Sequence, residues 1–112
     1  MKYFNIRLLI TLLALLFVPA AFATQETVTR KVEEIQIDYR GWFRITPSSN
    51  SNSQGCSGQT FTLYDQSSDA IRSAMLAVLL AAKANNKDVD FLLSGCHSGT
   101  DDPLVWIVTI KE

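Results

Sequence analysis

The residue types best suited to chemistry lie together near the end of the chain, in the stretch LLSGCHSGTDD at residues 92–102. This stretch contains Cys96 beside His97, the only histidine, and it ends on Asp101 and Asp102. A thiol and an imidazole can form a nucleophile and its base, but neighbouring side chains in an extended segment point to opposite sides. The two adjacent carboxylates point apart for the same reason. Neither pair predicts a catalytic centre.

Metal binding is the second chemistry that these residue types allow. A zinc site needs about four ligands at defined spacing, and Cys56, Cys96, His97 and Asp101 contain no paired motif. The sequence also has no nucleophile-elbow motif and no glycine-rich phosphate loop. We therefore expect no enzyme activity, no metal and no cofactor. His97 is expected on the surface of a loop, and the two aspartates are expected to be solvated ahead of Pro103.

The first 23 residues have the pattern of a secretory signal peptide. Lys2 and Arg7 give a positive start, residues 8–18 are uncharged and apolar, and residues 21–23, AFA, form a small-x-small cleavage pattern. The apolar run is short for a membrane span. The pattern predicts cleavage after residue 23 and a periplasmic or secreted protein with no stable membrane insertion.

The exported part, residues 24–112, has the length of one small domain. Two of the ten basic residues fall in the signal peptide, so eight basic residues remain against eleven acidic ones, a net charge of −3. This balance provides no basic patch for nucleic acid. The two cysteines, Cys56 and Cys96, are expected to form one disulfide after export, closing a loop that stabilises the domain by about 4 kcal/mol.

Hydrophobic alternation predicts five strands and one helix. Residues 28–39 alternate with a change of face around Glu33 and Glu34, which indicates a long first strand with a bulge or bend. A helix is predicted after a cap at Ser67 or Ser68, running to about Ala84. The other predicted strands are residues 42–46, 60–64, 88–93 and 104–110. The order β-β-β-α-β-β predicts a mostly β fold with one helix, an OB-fold-like five-stranded small barrel. Another five-stranded α+β layout is the alternative.

The predicted helix is apolar on every side. Its segment AMLAVLLAA, residues 74–82, carries no charge, whereas a surface helix on a monomer has a polar face. Either the N-terminal strand encloses this helix or helices of several subunits pack together, and we expect the second, a homo-oligomer. The expected interface residues are Met75, Leu76, Leu79 and Leu80. The last strand also has two apolar faces, with Leu104, Trp106, Val108 and Ile110 on one and Val105 and Ile107 on the other.

The loop PSSNSNSQGCSGQ, residues 47–59, is almost wholly small and polar. Hydroxyl and amide groups beside an aromatic ring are the groups with which proteins bind sugars. Two interpretations therefore stay open, a solvated connector or the rim of a glycan site. The candidate ligand-binding residues are Trp42, Arg44, Asn50, Asn52, Gln54, Tyr64 and His97. Trp106 could also stack on a sugar, but its apolar strand favours a place in the core or an interface.

The second half of the chain resembles a family of secreted toxin subunits. An alanine- and leucine-rich helix is followed by a strand and by SGCHSG at residues 94–99. With the signal peptide and the layout of elements, residues 55–112 resemble the B subunits of A–B toxins of the subtilase-cytotoxin and typhoid-toxin type, and their uncharacterised exported relatives. The resemblance implies an OB-fold, an intrachain disulfide and a ring, commonly a pentamer, with helices around a central pore. It also implies glycan binding and a separate catalytic A subunit. Only the two cysteines match by position.

These observations lead to two functional hypotheses. The first is an exported, non-enzymatic recognition module that binds glycans as an oligomeric, B-subunit-like protein. The second is a stand-alone periplasmic structural or protein-interaction module without a glycan ligand. Binding of single-stranded nucleic acid, another role of OB-folds, is opposed by export and by the negative charge.

Overall fold

A computed structural model describes residues 24–112, and the expected signal peptide lies outside the described residues. Within them, the chain is mostly β with one helix, as predicted. The elements are β1 (Glu26–Arg30), β2 (Val32–Ile37), β3 (Phe43–Pro47), β4 (Phe61–Leu63), α1 (Asp69–Ala84), β5 (Asp88–Cys96) and β6 (Pro103–Lys111).

The six strands form one mixed sheet in the order β1-β5-β6-β4-β3-β2. The neighbours β4 and β6 are parallel, and the other neighbouring pairs are antiparallel. The predicted count of five is wrong, because the long first strand is interrupted at Lys31 and becomes β1 and β2. The backbone N–H of Lys31 donates to Ser48 Oγ, and its carbonyl accepts from the Ser48 N–H, so this residue leaves the ladder between strands. The predicted irregularity near Glu33 is confirmed, since the β2–β3 register shifts between Val32 and Glu34.

The hydrophobic core lies between the sheet and α1. Alternate residues of β5 point inward, and Phe91 of this strand meets Phe61 of β4 edge to face, with ring centroids 5.3 Å apart. Each large side chain buried in this way stabilises the fold by about 1.5–3 kcal/mol. The buried core residues are Val28, Val32, Ile45, Phe61, Leu63, Leu79, Ala82, Val89, Phe91, Leu93 and Val105.

The helix begins and ends where the sequence predicts. The hydroxyl of Ser68 caps the N-terminus by accepting from the Ile71 N–H, and Asp69 lies in the positive first turn. Asn85 follows the last helical residue, and Asn86 has φ +53°, a left-handed conformation that ends the helix.

The four helix residues expected at a subunit interface do not share one environment. Leu79 is buried in the core of its own domain, and Met75 packs against that core. Leu76 is half-buried, whereas Leu80 is 51% exposed. Any contact between copies through α1 must therefore use the side of the helix that carries Leu80.

A β-bulge changes which residues of β6 face outward. In the β5–β6 register, Leu92 pairs with Ile107 and Leu93 with Val105, so Trp106 is an extra residue. Val105 consequently points into the core, while Trp106 and Ile107 are both exposed. The expectation that Trp106, Val108 and Ile110 share a face is wrong, because a bulge shifts the alternation by one residue. Val108 and Ile110 instead pack against the core.

Candidate functional site

A disulfide joins the polar loop between β3 and β4 to the end of β5. Cys56 and Cys96 are bonded, with their Cα atoms 5.7 Å apart, which confirms the predicted pairing. Such a bond persists in an oxidising compartment. It brings the two segments that contain most of the candidate site residues into contact.

Gln54 reinforces the same junction from inside. Its side-chain amide nitrogen donates to the Thr24 carbonyl and to Glu26 Oε1, both at 2.9 Å. Its Oε1 accepts from the Gly95 N–H at 2.8 Å. Gln54 is buried, and the chain itself satisfies these polar atoms. The structure therefore gives this predicted ligand-binding residue a structural role.

Asp102 is the most enclosed charged group at this junction, with no exposed surface. Its Oδ2 accepts hydrogen bonds from the hydroxyls of Thr60 (2.6 Å) and Thr62 (2.8 Å) and from Arg44 Nε (3.3 Å). The expectation of a solvated carboxylate is wrong, because the turn after β5 folds this side chain under the start of β4. Arg44, a predicted ligand-binding residue, is the ion-pair partner of this buried group.

The turn itself is closed by backbone hydrogen bonds. The His97 N–H donates to the Asp102 carbonyl, and the Asp101 N–H donates to the His97 carbonyl, each at 2.8 Å. Gly58 then contacts this turn closely, its N–H donating to the Asp101 carbonyl at 2.9 Å. A Cβ at Gly58 would collide with the side chain and backbone of Asp102. The close approach of the two segments thus requires glycine at this position.

His97 is buried, with 3% of its surface exposed, so its expected surface position is wrong. Its Nδ1 accepts from the N–H groups of Gly99 and Thr100, both at 3.2 Å. The proton of the neutral ring therefore lies on Nε2, which faces Asp65 Oδ2 at 3.2 Å. The short turn after His97 brings its ring back over the turn. The ring nitrogen then satisfies the backbone N–H groups of Gly99 and Thr100.

The arrangement of carboxylate, imidazole and hydroxyl has the components of a hydrolase relay, with Thr100 Oγ1 lying 3.3 Å from His97 Nδ1. The hydroxyl is not poised as a nucleophile, however. It accepts from the Asp102 N–H and shares a hydrogen bond with Thr62. Nδ1 is already occupied by two backbone donors. The geometry supports a structural cluster and gives no catalytic role to His97.

Trp42 covers one side of this cluster. Its ring meets the His97 ring edge to face, with centroids 4.6 Å apart, and the Arg40 guanidinium lies 3.8 Å from the centroid of Trp42. A side chain at Gly99 would collide with the Trp42 ring. Contacts with Arg40 and His97 thus cover much of the aromatic surface that a sugar would use at Trp42.

The rest of the polar loop is held in place by a residue that the sequence did not single out. Arg30 of β1 donates from Nε to the Ser49 carbonyl (2.8 Å) and from Nη2 to the Ser51 carbonyl (2.6 Å). Asn50 binds Gln59 through their side chains, and Asn52 donates to the Asn50 carbonyl. Both asparagines are bonded within the loop, which is fixed by β1 and by the disulfide.

An aromatic pair is displayed on a different part of the surface. The rings of Tyr64 and Trp106 are stacked, with centroids 4.1 Å apart and an interplanar angle of 19°. Trp106 is 42% exposed, and its Nε1 donates to the Ser94 carbonyl at 2.8 Å. The alternation pattern placed Trp106 in the core or an interface, and only the bulge at this residue brings it to the surface. No local sequence signal marks that bulge.

Asp101 makes the stability of the junction depend on pH. The side-chain and backbone hydrogen bonds that Ser57 donates to Asp101 Oδ2 lower the pKa of this carboxyl below its ordinary value of 3.8. A lowered pKa in the folded state stabilises the protein above the ordinary value, and this contribution is lost as the pH falls through the folded pKa.

We therefore expect Ser57→Ala to destabilise the protein at pH 7, and we expect this effect to shrink as the pH falls below 3.8 through the lowered pKa of Asp101 in the folded wild type. Urea unfolding between pH 7 and pH 2.5 measures the difference. Ser98→Ala, which removes an exposed hydroxyl from the turn, is the control. A difference between Ser57→Ala and the wild type that does not change with pH would contradict the assignment to Asp101.

The fold and the junction define a small, mostly β protein whose loops are held by one disulfide and one buried carboxylate, with an aromatic pair on its surface. No protein-family model matches the chain, and a search of curated proteins finds no match. Among residues 24–112 there is no group of three or more His, Cys, Asp or Glu side chains that could hold a metal ion. The helix of this region is too short to cross a bilayer.

Proposed function

We propose that the protein is an exported, non-enzymatic recognition module that binds glycans through the stacked rings of Tyr64 and Trp106. The observation that supports this most strongly is the exposure of Trp106 on a β-bulge. A large aromatic ring without a functional reason to be exposed is usually buried. Bulges recur where a protein directs a side chain toward a ligand.

The chemistry of the pair suits a sugar. One face of a pyranose ring carries C–H groups that pack on an aromatic ring, and its hydroxyls need polar neighbours. Trp106 is held by its stack on Tyr64 and by its hydrogen bond to Ser94. A ring fixed in this way loses little conformational freedom on binding, which favours affinity.

The resemblance to toxin B subunits adds a proposal about architecture. β1 and β2 occupy opposite ends of the strand order but are separated only by Lys31. We propose that this continuity closes the sheet into an OB-fold-like barrel, as in those B subunits. The parallel pairing of β4 with β6 in an otherwise antiparallel sheet supports this proposal. A catalytic partner subunit is part of what the resemblance implies and has no support from the geometry.

The glycan proposal is tested with a single substitution. On a glycan array we expect the oxidised protein to bind at least one sugar, and Trp106→Ala to weaken that binding at least tenfold, because the anchor ring is lost. Titration by isothermal calorimetry gives the two dissociation constants.

Tyr39→Ala is the matched control, since it removes an aromatic side chain that is 95% exposed at the turn between β2 and β3. It should bind the same sugars with unchanged affinity. Thermal unfolding of each variant separates loss of binding from loss of folding. The proposal would be contradicted by binding to no sugar at micromolar concentrations. It would also be contradicted if Trp106→Ala and Tyr39→Ala changed the affinity equally.

One observation favours a second function, a structural or protein-interaction module. Ile107, next to Trp106 on the same strand, is 53% exposed, and a sugar gains little from an isoleucine side chain. A protein partner would cover both residues. Under this alternative Ile107→Ser weakens partner binding as strongly as Trp106→Ala does, whereas a glycan site tolerates it.

Self-association is the remaining part of the proposal. The resemblance implies five copies in a ring, with their helices around a pore. The charges on the exposed side of α1 favour a different contact, between two antiparallel helices.

A further inference from the structure

The outward side of α1 is an apolar surface that no other part of residues 24–112 covers. Ile71 is 55% exposed and Leu80 is 51% exposed. Between them, the exposed positions are Ser73, Ala74 and Ala77, and the charged residue between Asp69 and Lys83, Arg72, is partly buried. We call this surface the outer face of α1. Its exposed members are Ala70, Ile71, Ser73, Ala74, Ala77, Leu80, Ala81 and Ala84.

The outer face is close to symmetric about Ala77. Its alanines recur at alternating intervals of four and three residues, so Ala70 and Ala84 lie seven positions from Ala77, while Ala74 and Ala81 lie three and four positions from it. A helix that is turned end over end about Ala77 therefore presents its alanines at nearly the same positions. Because the side chains are small, two such helices can approach to about 8 Å.

The charges at the two ends of the outer face are opposite. Asp69 lies in the first turn with a side chain that is 94% exposed and forms an ion pair with Arg72 of the same helix at 2.6 Å, and Lys83 lies in the last turn. Within residues 24–112 Lys83 forms no ion pair. The two residues are fourteen positions apart, about four helical turns, so they project from the same flank of the helix.

These charges distinguish between two ways of pairing. When two helices pack antiparallel, equal flanks meet with opposite ends aligned, so Asp69 of one copy meets Lys83 of the other twice. When they pack parallel, as around the axis of a ring, unlike flanks meet and Asp69 stays about 21 Å along the axis from the neighbour's Lys83. The opposite charges are complementary only in the antiparallel pair.

We propose that α1 is the contact between two copies of this chain, packed antiparallel about a two-fold axis near Ala77. This inference rests on the self-association part of the proposed function and is independent of glycan binding. It replaces the ring of five with a pair at this surface. A single helix face is smaller than the roughly 800 Å² per partner of a standard interface, so the pair is expected to form at micromolar concentrations.

The first test places a charge at the axis. Ala77→Glu puts two carboxylates opposite one another in the pair, and glutamate is a good helix former, so the monomer should fold unchanged. Analytical ultracentrifugation is expected to show a monomer–dimer equilibrium for the wild type. For Ala77→Glu the dimer dissociation constant is expected to be at least thirtyfold higher. Gln36→Glu adds the same charge at an exposed position of β2 and should dimerise as the wild type does.

The second test is a charge exchange. Lys83→Asp alone places two pairs of like charges across the antiparallel contact and is expected to weaken dimerisation about tenfold. Adding Asp69→Lys restores opposite charges and should recover most of the loss. Circular dichroism at concentrations where each protein is monomeric checks that neither variant has lost the helix.

The third test is geometric. Ala77→Cys is expected to cross-link to itself on oxidation, whereas Ala70→Cys and Ala84→Cys should cross-link to each other when mixed and not to themselves. Mass mapping after digestion identifies the bond and checks that Cys56–Cys96 is intact.

Four outcomes would overturn the inference. They are a monomer at millimolar concentration, a native mass of five copies, no recovery in the double charge variant, and cross-linking of Ala70→Cys to itself. None of these requires a sugar. Failure of the two-fold contact is therefore distinguishable from failure of glycan binding, which Trp106→Ala tests on the monomer.

Discussion

Replacing Asp102 by alanine is expected to lower the free energy of unfolding by about 3–5 kcal/mol, because it removes one partner of a buried ion pair. The fully buried Thr62 hydroxyl also loses its carboxylate acceptor, and Arg44 loses its ion-pair partner at 3.3 Å. In a domain whose total stability is about 5–15 kcal/mol, this loss is large. Urea denaturation followed by circular dichroism measures it.

Two milder substitutions make the expectation specific. In Asp102→Asn the side-chain oxygen can still accept from the two threonines, but the amide nitrogen takes the place of Oδ1, a buried atom with no hydrogen-bond partner in the described residues. We expect a loss about half as large as that in Asp102→Ala. Asp101→Asn changes the adjacent, exposed carboxylate, whose interactions are screened by solvent, and is expected to lower the free energy of unfolding much less than either change at Asp102. Equal losses at positions 101 and 102 would show that the buried carboxylate has no special role.

Removing the disulfide is the second large effect. The double variant Cys56→Ala/Cys96→Ala is expected to lose about 4 kcal/mol, since the bond closes a loop across a sequence separation of 40 residues. Dithiothreitol treatment of the wild type should lower the free energy of unfolding by a similar amount. The urea midpoint measures the loss in the double variant and in the reduced wild type. A wild type whose midpoint is unchanged on reduction would contradict this prediction.

The two large effects are expected to be less than additive. The disulfide and Asp102 fasten the same two segments, the loop before β4 and the turn after β5. Once either the disulfide or Asp102 is removed, the two segments separate more easily. The interaction that remains then contributes less to the free energy of unfolding. Combining Asp102→Asn with the double cysteine variant measures this coupling, and full additivity would indicate that the two act on independent regions.

The sequence was most informative where local chemistry decides the structure. The Ser68 cap, Asp69 in the first turn and the polar residues after Ala84 are signals contained in a few neighbouring positions, and the helix follows them closely. The disulfide could be predicted because two cysteines in an exported chain allow only one intrachain pairing. The predicted bulge near Glu33 was visible because the alternation itself changes face there.

The site was less predictable because its contacts span long sequence distances. Nothing local indicates that Asp102 will meet Thr60 and Thr62, which lie about forty residues earlier. His97 was assigned to the surface because loops are usually solvated, but its ring satisfies the backbone of its own turn. Trp106 shows the reverse error. An apolar strand predicted burial, and one additional residue in the ladder turned the ring outward.

The position of β1 in the sheet has a consequence for the order in which this protein can fold. β1 pairs only with β5, and residues paired across this ladder, such as Val28 and Phe91, are separated by about 60 positions. The first strand therefore has no partner until almost the whole chain has been synthesised. Pairings that are so distant in sequence form slowly. The ladder between β1 and β5 is therefore expected to be among the last pairings of the sheet to form.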